Sequence, residues 1–143
     1  MTLRMQYAEL VRDFLSGRMT NHEYEKACDA FLKCDDEAIG QVYDKLWNEY
    51  CDFREHRMGR RHGMTQEGRR IAARWILFLR SGRLYEYRYM KAPNGLIVLL
   101  TLGFVRRYEN PDNDAAERDC WPYYRRSDFE IDLRHPVLLA GRG

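Results

Sequence analysis

The sequence predicts a mainly α protein, an antiparallel helical bundle with a small two-stranded antiparallel β ribbon in its C-terminal half. Three observations point there. Apolar residues recur at helical spacing in four successive segments of the first eighty residues, and residues able to cap helices bound those segments. From Leu84 the period then drops from about 3.6 to about 2. The 143 residues, 45% hydrophobic and 13% aromatic, suit one core. We therefore expect a single domain over 1–143, with the bundle in 1–82 and the ribbon, a buried apolar segment and a short closing helix in 83–143.

In the first segment Tyr7, Leu10, Val11, Phe14 and Leu15 follow i, i+3, i+4, i+7 and i+8, which lines one face of a helix that stops at Ser16-Gly17. Thr20 opens the second helix. Its hydroxyl can accept from the backbone while Glu23 reaches back, a capping box that satisfies two orphan donors. The buried face there is Tyr24, Ala27, Cys28, Phe31 and Leu32. Asp35-Asp36-Glu37 caps the third helix and complements its dipole, and Ile39, Val42, Tyr43, Leu46, Trp47, Tyr50 and Phe53 form a long apolar stripe. At about 100° per residue, Asp44, Asn48, Asp52 and Glu55 fall opposite that stripe and give the helix an acidic outer face. Thr65 caps a fourth helix that ends at Ser81-Gly82, and its Ile71, Ala72, Trp75, Ile76, Phe78 and Leu79 spread over an arc wide enough for deep burial.

The second half changes character. Leu84 to Met90 alternates, with Tyr85, Tyr87 and Tyr89 on one side, as a half-buried strand does. Lys91-Ala92-Pro93-Asn94-Gly95 breaks the run. The continuous apolar residues from Leu96 to Val105 fit a buried strand or a buried helix. A span of about 14 residues between Asn94 and Asn110-Pro111 is longer than a typical strand, so helix is the expectation. Asp112 to Glu117 reads as an exposed loop. Cys120 to Tyr124 reads as a short edge strand pairing with the tyrosine strand, and Ser127-Asp128-Phe129-Glu130 as a capping box opening a last helix that His135-Pro136 ends.

No residue pattern points to catalysis. Cys28, Cys34, Cys51 and Cys120 are separated by 6, 17 and 69 positions, unlike paired zinc knuckles or a redox CxxC, and Cys28 on an apolar helical face reads as a small buried hydrophobe. His56 and His62 lie among arginines that repel a divalent metal, and His22 and His135 lack a second ligand at helical spacing. Glycine-rich phosphate loops and GxSxG are absent, and Asp112-Asn113-Asp114 lacks the turn glycine of a calcium loop. The expectation is a non-enzymatic protein without metal or cofactor. The longest apolar run is too short to span a bilayer, where about 20 residues are needed, and the first residues have no signal-peptide core, so a cytoplasmic protein is expected.

The total charge of +2 gives no bulk argument for a nucleic-acid binder. Charge by segment is more informative. Residues 1–18 carry 3 basic and 2 acidic side chains, 19–53 carry 3 and 9, 54–91 carry 11 and 3, and 92–143 carry 7 and 8. An acidic unit is thus followed directly by a basic one. Within the basic unit, Arg70 and Arg74 stand four apart on one face, a repulsive spacing that calls for an anion, either a carboxylate from a neighbouring helix or a ligand. Arg57, Arg60, Arg61, Arg69, Arg70 and Arg74, joined by Arg54, are the candidate anion or nucleic-acid contacts. Tyr85, Tyr87 and Tyr89 could stack bases or pack on the bundle.

Phe14-Leu15-Ser16-Gly17-Arg18-Met19-Thr20-Asn21-His22-Glu23-Tyr24-Glu25 resembles the FLxG, hydrophobic, T/S, xxE(F/Y)E opening of small helical colicin-type and polymorphic-toxin immunity proteins of bacteria. That resemblance implies a protein that binds a cognate toxin domain and blocks its active site. For a basic nuclease toxin the expected contacts are Asp35, Asp36, Glu37, Asp44, Asp52 and Glu55, whereas a toxin with an acidic surface would select the Arg57 to Arg74 patch. The alternative is a small nucleic-acid-binding protein using the Arg54 to Arg74 patch.

Overall fold

The computed structural model describes residues 1–50, 53–59, 62–86 and 120–135. Among them are five helices: α1 (Leu3–Leu15), α2 (Asn21–Leu32), α3 (Glu37–Trp47), α4 (Gln66–Ser81) and α5 (Arg126–Leu133). α1 packs against α2 and α4, α4 also meets α3 and α5, and α2 touches α3. Among the described residues no helix is long and apolar enough to cross a membrane.

The first four helices start where capping chemistry predicts. Thr2 accepts from the Met5 N–H at the head of α1, Thr20 and Glu23 form the expected reciprocal box on α2, and Thr65 accepts from the Gly68 N–H on α4. Asp36 accepts from the Ala38 N–H at the head of α3. α1 and α4 end on glycines in the left-handed region, Gly17 at φ 75° and Gly82 at φ 69°. At Gly17 the requirement is double, because a Cβ there would lie 2.4 Å from the Met58 carbonyl oxygen.

The apolar stripes of α1 to α4 meet in one core of Tyr7, Val11, Phe14, Tyr24, Cys28, Ile39, Val42, Leu46, Trp75, Phe78 and Leu79. Each such side chain contributes roughly 1.5–3 kcal/mol by leaving water. Its centre is aromatic: Phe14 stacks on Tyr24 with centroids 4.5 Å apart, and Tyr50 meets Phe14 edge-on at 5.0 Å. The Tyr7 and Tyr24 hydroxyls lie 2.9 Å apart, so each buried phenol has a partner. Cys28 is fully buried, as its helical face predicts, and burial pushes its thiol up to about 11.

Two polar clasps fix the rest. Buried Asn21 treats residues 54–56 as a strand edge: its amide nitrogen donates to the Arg54 carbonyl at 3.2 Å, its oxygen accepts from the His56 N–H at 2.8 Å, and its own backbone N–H reaches the His56 carbonyl. Thr20 and Arg57 form an isolated antiparallel bridge beside it. At the other end Arg83 grips α5, with Nε and Nη2 donating to the two Asp132 oxygens at 2.7 and 2.9 Å and Nη1 lying 3.3 Å from Asp128. This bidentate pair holds a short helix whose own apolar pattern is weak, with Asp132 its sole buried residue.

Several expectations need correction. The third helix is shorter than its stripe: it ends at Trp47, where the Asn48 side chain donates to the Asp44 carbonyl at 2.7 Å. Tyr50 therefore packs from the turn beyond the helix, and Phe53 is 92% exposed. Cys120 to Tyr124 fold as a turn, with the Tyr123 N–H donating to the Cys120 carbonyl at 2.9 Å and a cis peptide bond at Trp121-Pro122. Cys120 and Tyr123 both face the core, and a spacing of three cannot do that in an alternating strand. The capping box at Ser127 does not form, because α5 starts two residues earlier than such a cap would place it and its N-cap, Arg125, makes no side-chain cap bond. Among the described residues no strand forms, and 83–86 are irregular. The expected tyrosine strand beyond residue 86, the apolar segment at 96–105 and the loop at 112–117 lie outside the described residues. Tyr85 packs on the bundle, edge-on to Phe78 at 6.3 Å and accepting from the Trp121 indole at 3.3 Å.

Candidate functional site

Where α3 ends, an aromatic row leads from the core to the surface. Phe14 touches Tyr50, Tyr50 meets Trp47 with centroids 5.9 Å apart, and Trp47 meets Tyr43 at 5.8 Å. Tyr43 and Tyr50 are half-buried, while Trp47 leaves 38% of its surface in solvent. The outermost ring is thus held from behind by packed rings, which limits the rotamer entropy it would lose on being covered.

Carboxylates of α2 and α3 act on the two tyrosines of this row. The Tyr43 phenol is pushed up first by burial and then by Cys28, Glu25, Asp29 and Asp44, so three carboxylates from two helices act on one ring. Burial also raises Tyr50, and Glu25 adds to it while accepting the Tyr50 hydroxyl at 3.3 Å. Among the described residues Glu25, Asp29, Asp44 and Glu49 enter no ion pair. Elsewhere the pattern is opposite: Glu9, Asp13, Glu67, Asp128, Glu130 and Asp132, which are all the carboxylates of α1, α4 and α5, each lie within 4 Å of an arginine.

The expected acidic contacts divide on this structure. Asp35, Glu37 and Asp44 are exposed. Asp36 is occupied, capping α3 with one oxygen and holding Arg4 Nε at 2.6 Å with the other. Glu55 is not on α3 at all: it lies on the segment beyond, accepting the Thr20 hydroxyl at 2.8 Å. Asp52 lies outside the described residues. Sequence reasoning missed Glu25 and Asp29, although the same argument applied to Arg70 and Arg74 was open to it, since two carboxylates four apart on one helix repel. It also put Trp47 among buried stripe residues, because helical period alone does not say where a stripe runs off the end of the core.

The basic patch is largely engaged. Arg57 donates to the Gly17 and Arg18 carbonyls, the latter at 2.7 Å. Arg70 lies 3.7 Å from Glu67 of its own helix, and Arg74 sits 5.3 Å over the Phe129 ring. The carboxylate expected from a neighbouring helix between these two arginines is therefore replaced by an acid one turn back and by an aromatic face. Arg60 and Arg61 lie outside the described residues. Arg54 and Arg69 are exposed and enter no hydrogen bond or ion pair through their side chains among the described residues, and Arg69 lines a groove between α1 and α4 with Arg12. No protein-family model matches this chain, and comparisons with curated proteins and with solved structures find no match either.

Proposed function

We propose that the protein is an immunity-type inhibitor that binds a basic toxin domain through the acidic, aromatic face of α2 and α3 and covers its active site. The observation that carries this reading is Trp47, half-exposed on a packed aromatic row whose flanking tyrosines, Tyr43 and Tyr50, stand beside the carboxylates Glu25, Asp29 and Asp44, which enter no ion pair among the described residues. An aromatic anchor with a charged surround is the composition of a binding hot spot, and a negative surface steers a positive partner into contact. The N-terminal motif from Phe14 to Glu25 adds the toxin-immunity assignment by resemblance. Two of its residues, Tyr24 and Glu25, stand beside the row itself. The arginine patch supports nucleic-acid binding less well, because Arg57, Arg70 and Arg74 already have protein partners.

The test is affinity capture of the tagged chain from its own cells after nuclease treatment, run beside a Trp47→Ala/Asp44→Lys variant. The captured partner is then expressed with and without each form. The expected outcome is a protein partner that survives nuclease, arrests growth when expressed alone, and is relieved by the parent chain but not by the variant. Co-purification of RNA or DNA alone, or equal relief by the variant, overturns the proposal.

A further inference from the structure

A second surface, sharing no residue with the α3 face, has the build of a small-ligand site. Between α1 and α4 runs an open groove of about 440 Å³, within the roughly 300–1,000 Å³ common to such sites. Leu15, Met58, Met64 and Ile76 give it a mostly apolar lining, and its charged lining residues are two arginines, Arg12 on α1 and Arg69 on α4. Two lining glycines approach each other closely: a Cβ on Gly63 would meet the Gly59 carbonyl oxygen at 2.3 Å, and the Arg69 guanidinium lies 3.6 Å from that same position. Arg12 lies 3.8 Å from Glu9, too long for a hydrogen bond, and Arg69 enters no ion pair among the described residues.

We infer that this groove binds a small amphiphile, a single anionic headgroup carried on an unbranched apolar body, with Arg12 and Arg69 receiving the anion and the methionines and Ile76 the tail. The unbranched side chains of Met58 and Met64 can adjust to a flexible chain. Two guanidiniums with no tight carboxylate partner select against a neutral or cationic head, and the apolar lining selects against a bare anion.

The experiment is a chemical-shift titration of the isotope-labelled full chain with octyl phosphate, octanoate, octanol and inorganic phosphate. Octyl phosphate or octanoate should saturate, with shifts confined to Arg12, Leu15, Met58, Met64, Arg69 and Ile76; the tighter of the two tells a phosphate ester from a fatty acid. Octanol and inorganic phosphate should bind at least about tenfold more weakly. An Arg12→Gln/Arg69→Gln variant with an unchanged helical circular-dichroism signal should lose about tenfold for the anionic ligands and nothing for octanol. Equal affinity for octyl phosphate, octanoate and octanol in the parent chain, or shifts centred elsewhere, overturns the inference without reference to the variant.

Discussion

The carboxylates of α1, α4 and α5 and those of α2 and α3 are the same chemical groups in two different conditions. Every one of the first set lies within reach of an arginine, some at 2.6 or 2.7 Å. In the second set Glu23 is used up in a capping box and Glu25 takes a phenol, but none of Glu23, Glu25, Asp29, Glu37 and Asp44 pairs with a cation among the described residues. Arginine supply is the immediate reason, since residues 19–53 contain three lysines and no arginine. A paired carboxylate is committed to its arginine, and Asp132 ties α5 to Arg83 in this way. Unpaired ones keep their field available to solvent and to a partner, at the cost of mutual repulsion. Paired and unpaired carboxylates thus fall on different helices according to where the arginines lie.

That division can be broken from the paired side first. Arg83→Ala removes both bonds to nearly buried Asp132 and takes away the cation that neutralises it, so we expect a loss of about 3 kcal/mol in urea unfolding. A loss under about 0.5 kcal/mol, the range of an ordinary surface change, would show that α5 does not depend on the pair. Next in size is the response of the core to alkali. The Cys28 thiol has an ordinary value of 9.0 and is pushed up to about 11 in the folded chain, chiefly by burial. The folded state therefore holds its proton more tightly. Stability is full below pH 9 and falls as pH rises toward 11, by about 2 kcal/mol from this thiol alone. Tyr7, Tyr24, Tyr50 and Tyr123 are raised by burial in the same direction and extend the loss above pH 10. Urea midpoints measured from pH 8 to 11 should hold level to about pH 9 and then decline, and a Cys28→Ala variant should show a shallower decline between 9 and 10. The smallest effect sharpens the other side: Asp29→Lys/Asp44→Lys should change stability by less than about 0.5 kcal/mol, or raise it slightly by relieving repulsion. The same variant should associate with a basic partner more slowly at low salt, and a stability loss near that of Arg83→Ala would mean that these carboxylates are structural after all.

Much of the fold was legible along the chain. Thr20 with Glu23, Thr65 and Gly82, and the stripe from Tyr7 to Phe14, are local devices whose partners lie within one or two turns, so spacing is enough to read them. Failures came where the partner is distant. Ser127 looked like a cap because its neighbours fit the pattern, yet α5 is held by Arg83, more than forty positions away, and needs no box. Cys120 to Tyr124 read as a short edge strand, but the core of Trp75 and Phe78 takes Trp121 and Tyr123 as a turn. The candidate site behaved likewise. Asp35, Glu37 and Asp44 were readable as exposed from helical phase, whereas Asp36 and Glu55 were taken out of play by Arg4 and Thr20, thirty-two and thirty-five positions distant.

By itself, then, the sequence determined where helices α1 to α4 begin, which faces they bury and where charge of each sign concentrates, because caps, periodicity and composition act over a few residues. Tertiary structure alone decided which charges are neutralised, where the third helix stops being core, and that Arg12 and Arg69 line one groove. Those outcomes depend on which distant groups arrive within a few ångströms of one another, and distance through space is not written in distance along the chain.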